Sequence, residues 1–397
     1  MKHAKGETAG TGEPSPKGRS FFSFLRSGQT GTRAPQASRA VAAMLGLAGP
    51  VAAGTMTGHA GIGIVASLGG LALSGEGRGE TFREQAPGLI YALIAGSAAV
   101  LTGRAMAGHG TLISFGVPAI AAAAGLLGGL SRSLARATTQ FMLYTIIAAN
   151  LGLQGDHPLG AMLLFLMGAA WTAGLSLGLR PLFQAVHSSS AAVITGPQSP
   201  RYSARQLVRR WRKSLLHLAG WQYALRITLC LAVAAAFERI WPLHHGYWVS
   251  ITVLIVVQRT LPAALPRAFQ RAAGTAFGIL LTCLLLLGSS SEWTGIAMIA
   301  ALAAARPILR ETNYTAYAAV MTPLVILLLD YGQEPSWGPV IDRLAATLAG
   351  CLLALTLGTL AWFRFFPSPD AAVASKGPLA IGGKNRIRGS GQIDAAN

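Results

Sequence analysis

The stretch HHGYWVSITVLIVVQRT (His244–Thr260) decides the fold. A β-branched apolar run of this kind suits either a buried strand or a membrane crossing, and periodicity alone does not separate them. Composition does. Only 12% of the 397 residues are charged and 52% are hydrophobic, against about 25% charged in an ordinary soluble domain. The mean hydropathy is +0.48. Gly and Ala are frequent within the apolar runs, where small residues let helix backbones approach closely in lipid. The stretch therefore reads as a span. Tyr247 and Trp248 are expected in the aromatic belt at one surface, Val249 to Val257 in the bilayer, and Gln258 and Arg259 at the other surface.

A helix needs about 20 apolar residues to cross a bilayer, or about 17 at the short end. Working outward from His244, twelve segments qualify: 40–56, 59–74, 87–107, 110–130, 138–153, 159–179, 223–241, 246–262, 273–289, 293–309, 313–331 and 343–363. The second and fifth are short. The predicted fold is all-α, a polytopic transmembrane helical bundle of about twelve spans in two six-helix halves. The chain divides into a disordered basic tail (1–39), a first transmembrane half (40–179), a linker (180–222), a second transmembrane half (223–363) and a tail (364–397). Gly61 and Gly246 open equivalent apolar runs. Each is followed by a charged stretch and then a span near Gly88 or Gly274, which predicts parallel repeats about an axis along the membrane normal.

Charge orients the spans. Lys and Arg accumulate on the cytoplasmic side of membrane proteins. An even span count puts both basic tails on one side, together with Arg78, Arg83, Arg132, Arg136, the cluster Arg201–Lys213, Arg259, Arg267, Arg271, Arg306 and Arg310. The other side receives Arg104, Arg239 and Arg343 with His109, Asp156, His157, Glu292 and Glu334. Both termini are expected in the cytoplasm, and much of the net charge of +18 belongs there. Nucleic acid is not an expected partner, since no aromatic–basic binding module accompanies the charge.

Four stretches hold the candidate residues. In RTLPAALPRAFQRAAGTAFG (Arg259–Gly278), Pro262 and Pro266 interrupt the helix, Arg267 and Arg271 share a face, and Gly274 and Gly278 form a close-packing GxxxG. The two arginines read either as an attractor for anions or as anchors to lipid headgroups. In RPILRETNYTAYAAVMTPLVILLLD (Arg306–Asp330), Pro323 interrupts a span, and Asn313, Tyr317 and Thr322 either line a path or bond neighbouring helices. Glu238, Asp330, His244 and His245 lie near predicted outer ends; they either carry a proton or are simply hydrated. RQLVRRWRKSLLHLAGWQYALR (Arg205–Arg226) places Leu207, Val208, Trp211, Leu215 and Leu218 near one helical face and predicts an amphipathic helix on the anionic leaflet.

No phosphate loop, HExxH, nucleophile elbow or CxxC is present in the sequence. No enzymatic activity, catalytic residue, metal site or cofactor is expected. Cys230, Cys283 and Cys351 each sit in an apolar run and read as packing residues.

Gly246-Tyr247-Trp248, Arg267 to Thr275, Asn313-Tyr314 and Arg343 to Gly350 together resemble the fusaric acid resistance (FUSC) family over about residues 223–360. The chain has Ser250 where that family often has a proline, and Ala346 where it often has an aspartate. Long members carry a large cytoplasmic domain between their halves; here 180–222 separates them. The resemblance implies an inner-membrane exporter of small organic anions, aromatic carboxylic acids among them, coupled to protons, with a periplasmic adaptor protein in some relatives. On that reading Arg267, Arg271 and Arg310 attract the carboxylate, Asn313, Tyr317 and Thr322 line the path, and Glu238, Asp330, His244 or His245 carries the proton. The partners are then the organic anion, protons, the lipid bilayer and a homo-oligomer. A non-transporting membrane scaffold or envelope-assembly protein and a passive anion channel stay open as alternatives.

Overall fold

The computed structural model describes residues 33–74, 82–151, 157–186, 203–240, 245–287, 291–329, 331 and 338–363. Every regular element among them is helical: α1 (Arg33–Met56), α2 (Ala60–Leu73), α3 (Phe82–Met106), α4 (Gly110–Leu127), α5 (Arg132–Asn150), α6 (Pro158–Val186), α7 (Ala204–Leu215), α8 (Leu218–Ile240), α9 (Tyr247–Val256), α10 (Ala264–Leu287), α11 (Glu292–Thr312), α12 (Tyr314–Leu329) and α13 (Gly338–Leu355). The protein is an all-α, multi-pass membrane helical bundle. Among the described residues, seven helical stretches are long and apolar enough to cross a membrane, and α2, α9 and α12 are shorter apolar helices. Each of the twelve expected segments coincides with a helix, but length and composition support seven crossings and not twelve.

The helices are amphipathic in the sense suited to lipid. On α10 the buried stripe is Ala264, Ala268, Arg271, Gly274, Thr275, Gly278 and Thr282. The opposite stripe, Phe269, Phe277, Leu280, Leu284 and Leu287, is exposed. Large apolar groups face outward while small and polar groups face the bundle, because packing and hydrogen bonding, not water exclusion, join helices in hydrocarbon. Close approach follows. A methyl on Gly278 would lie 2.6 Å from the Ala319 carbonyl oxygen on α12.

Turns use the residues their geometry demands. Met56-Thr57-Gly58-His59 and Met106-Ala107-Gly108-His109 join α1 to α2 and α3 to α4 in the same way. Gly58 (φ 72°) and Gly108 (φ 79°) are left-handed, a conformation only glycine adopts without strain. In each, the histidine Nδ1 contacts the carbonyl two residues back, at 2.7 Å and 3.2 Å.

The pairing of helices has a pattern. In the first half α2 packs on α6, α3 on α5 and α4 on α5; in the second, α9 packs on α13, α10 on α12 and α11 on α12. The halves meet where α1 packs on α11, α4 on α8 and α5 on α9. Arg39 Nη1 reaches Glu311 Oε1 at 2.8 Å across the first of these junctions.

Several boundaries differ from expectation. Helix α1 begins at Arg33, inside the segment read as a tail; the rest of that tail and residues 364–397 lie outside the described residues. The largest difference is in the opening stretch. Helix α9 has ten residues, about 15 Å of rise against a hydrocarbon core of about 30 Å. It stops because Val257 turns extended, and Gln258 Nε2 then donates to the Ile255 carbonyl at 2.7 Å. The break precedes Pro262, and Arg259 stacks on Tyr223, 4.3 Å from its ring centroid. The basic amphipathic stretch Arg205–Arg226 does not form one helix: Leu218 begins α8, and the basic part up to Leu215 is α7. Its Trp211 Nε1 donates to the Leu126 carbonyl at 2.9 Å, pinning it to the end of α4.

Candidate functional site: an arginine-lined cavity

Helices α2, α5 and α9–α13 enclose a cavity of about 440 Å³. Its lining includes Arg267 and Arg271 from α10, Arg306 and Arg310 from α11, and Arg343 from α13. Each pair is four residues apart, so one helical face presents both members. Trp248, Tyr144, Tyr314 and Tyr317 contribute rings, and Leu68, Ile147, Met321 and Val325 contribute apolar wall. Among the described residues, no Asp or Glu lines it.

Aromatic faces hold two of the guanidiniums. The Arg267 Cζ lies 3.4 Å from the Tyr314 ring centroid, and the Arg343 Cζ lies 3.4 Å from that of Trp248. A cation over an aromatic face is favoured by roughly 2 kcal/mol when desolvated. Arg306 reaches the other half of the molecule, where its Nη1 donates to Ser74 Oγ after the end of α2. Arg271, Arg306 and Arg343 are 3%, 7% and 2% exposed. The Nε atoms of Arg267, Arg271, Arg306 and Arg343 have no hydrogen-bond partner, nor has Nη1 of Arg343. Buried donors without partners are costly, and buried positive charge without counter-charge is more so. The arrangement favours an anion in the cavity.

The acids nearest in sequence do not supply that counter-charge. Glu311 follows Arg310 but pairs with Arg39. Asp342 precedes Arg343, yet its Oδ2 lies 3.7 Å from His245 Nδ1.

The cavity brings together Arg267, Arg271, Arg310 and Tyr317 of the residues singled out from sequence. Two others stand elsewhere. Asn313 is exposed, and its Oδ1 accepts from the backbone N–H groups of Thr315 and Ala316 at 2.8 and 3.3 Å; it caps α12. Thr322 is fully buried, with its hydroxyl donating to the Ala318 carbonyl at 3.0 Å, opposite Gly278; it packs the α10–α12 contact. Of the proton candidates, Glu238 accepts from Ser250 Oγ at 2.9 Å, and His245 faces Asp342. His244 and Asp330 lie outside the described residues.

Sequence reasoning missed Arg306, Arg343, Tyr314 and Trp248 as lining residues. Trp248 was expected at the headgroup level, but it is 5% exposed and turned inward over Arg343. It also missed Arg226, wholly buried on α8, whose Nε donates to the Gly358 carbonyl where the chain beyond α13 makes a π-turn (Thr356–Leu360). The usable signal was the position of these arginines within apolar helical runs, where an ionisable residue marks a site by default.

Residues 227–357 match the family described as fusaric acid resistance protein-like. Inner membrane protein YccS of Escherichia coli (strain K12) is 30% identical over 156 residues, 38% of this chain and 21% of that protein. The uncharacterised protein YhfK of the same organism is 25% identical over 178 residues, 42% of this chain and 25% of the relative. Uncharacterised protein ORF2 of Neisseria gonorrhoeae is 25% identical over 141 residues, 36% of this chain and 34% of the relative. The chain thus covers between a fifth and about a third of these relatives' lengths. No solved structure matches it. Residues 227–357, the part of the chain similar to that family, contribute every arginine of the cavity.

Proposed function

We propose that this protein exports small organic anions, aromatic carboxylic acids foremost, across the bacterial inner membrane, driven by the proton gradient. One observation carries the reading: five arginines and four aromatic rings meet in a cavity bounded by helices of both halves, with no acid among its described lining residues. Carboxylates pair with guanidinium forks, and rings stack on aromatic walls. In this scheme Arg267, Arg271 and Arg310 attract the carboxylate from the cytoplasm, Arg306 and Arg343 complete its shell, and Tyr317, Tyr314 and Trp248 hold the ring.

The proton is assigned to Glu238. It lies on α8 and is bonded to Ser250, two residues beyond the cavity-lining Trp248 on α9. His245 with Asp342 is a second candidate, and His244 and Asp330 are candidates by sequence. The architecture in this reading is two parallel six-helix repeats, 40–179 and 223–363, joined by the linker 180–222. The recurrent pairings, α2–α6 with α9–α13, α3–α5 with α10–α12, and α4–α8 with α11–α1, support it. Charge alternation along the sequence supports cytoplasmic termini, and the name of the YccS relative supports the inner membrane. A periplasmic adaptor and a homo-oligomer belong to the same proposal through the family resemblance. Charges confined to the span ends would suit the scaffold alternative; buried Arg226, Arg271, Arg306 and Arg343 count against it.

The test is accumulation of a panel of labelled aromatic mono- and dicarboxylic acids, benzoate among them, in cells with and without the protein. Lower accumulation that a protonophore abolishes supports the exporter. Movement insensitive to the protonophore points to a channel, and no difference in any condition removes the transport reading.

A further inference from the structure

Charge counting separates classes of anion. The guanidinium is the most persistently charged side chain, and five of them line one cavity. Three of these side chains are more than nine-tenths buried and carry Nε donors without partners. Among the described residues, the acids next to these arginines in sequence pair with other groups, Glu311 with Arg39 and Asp342 with His245. A single carboxylate brings one negative charge and about four acceptor sites, two of which one arginine fork takes. The remaining buried positive charge would then stay uncompensated. The volume of about 440 Å³ lies within the range of sites that enclose small molecules.

We infer that the cavity selects a small organic anion bearing two negative groups on a flat apolar body, in preference to a monoanion of the same shape. This deepens the transport reading and rests on it. The arginines come from three helices, so they approach from different sides: Arg267 and Arg271 from α10, Arg306 and Arg310 from α11, Arg343 from α13. Two carboxylates on opposite parts of one ring satisfy separate groups of guanidiniums. The ring itself meets Tyr317, Trp248 and the apolar wall.

The experiment compares ligands on the unaltered full chain in detergent, at constant ionic strength. The probes are the three benzenedicarboxylates, their monomethyl esters and benzoate, with binding followed by calorimetry. The ester keeps the body and removes one charge. At least one dicarboxylate is expected to bind on the order of tenfold more tightly than its ester, the worth of one charged hydrogen-bonded contact. That preference is expected to shrink in Arg306→Gln or Arg343→Gln. Esters and benzoate binding as tightly as every dicarboxylate would overturn the inference and leave the transport reading standing. Failure of all probes to bind, with no flux of any of them in proteoliposomes, would remove both.

Discussion

The guanidinium carbon of Arg343 sits 3.4 Å from the centroid of the Trp248 ring, in a part of the bundle where Arg343 is 2% and Trp248 5% exposed. The two residues join the start of α13 to the start of α9, and both line the cavity. The ring offers its negative face to a charge withdrawn from bulk solvent. Replacing Trp248 by Leu removes that face and keeps an apolar filling. The variant is expected to lose about 2 kcal/mol of stability, read as a lower unfolding temperature in detergent. Trp248→Phe should lose less. Equal stability in all three proteins would mean the contact contributes nothing.

Arg271 sets function against stability. It is 3% exposed and its Nε lacks a partner. Arg271→Leu should raise the unfolding temperature of the ligand-free protein, since it removes a buried charge that has no counter-charge among the described lining residues. The same change should weaken anion binding by roughly tenfold or more. Measuring both on one preparation separates this outcome from simple misfolding, which would lower both.

Gly278 keeps α10 against α12. A methyl there would lie 2.6 Å from the Ala319 carbonyl oxygen and from Thr322 Cβ. Backbone does not yield as a flexible side chain does, so Gly278→Ala is expected to destabilise by about 1–3 kcal/mol through overpacking. Ala272 on the same helix is half-buried, and Ala272→Ser serves as the control with little effect. Thermal unfolding of the two variants is the measurement.

Glu238 tests the coupling. Its carboxylate accepts from Ser250 at 2.9 Å. If the proton travels on this group, Glu238→Gln abolishes uptake driven by a pH gradient in proteoliposomes but preserves exchange of labelled for unlabelled anion. Retention of pH-driven uptake would move the proton to His245 and Asp342 or elsewhere.

Trp211 tests the linker helix. Its indole donates to the Leu126 carbonyl at the end of α4. Trp211→Phe loses that bond, worth about 1 kcal/mol, and should speed proteolysis near α7 without altering anion binding to the cavity.

Helix positions were legible because the apolar runs are long and their breaks are marked by Gly, Pro and charge. The α10 face was readable too: Arg267, Arg271, Gly274 and Gly278 fall at helical spacing, and α10 packs on α12 through both glycines. The candidate site was legible in part. Arg267, Arg271, Arg310 and Tyr317 share a cavity, but Asn313 and Thr322 are engaged with their own backbone neighbours. Short polar side chains often satisfy local carbonyls or amides, and a sequence does not say whether a given one does.

Sequence by itself determined that this is a helical membrane protein with most of its arginines at the ends of its apolar segments. That much follows from the cost of leaving backbone polar groups unpaired in lipid and the rarity of charge there. Only tertiary structure decided which arginines converge. Residues 248, 271, 306 and 343 lie far apart along the chain, and no local periodicity relates them. Their meeting depends on how α9, α10, α11 and α13 cross. Tertiary structure also decided that α9 ends at Val256, six residues short of the end of the expected span 246–262, and that Trp248 turns inward. An apolar run shows that a segment prefers lipid or core to water; it does not show which neighbour covers it.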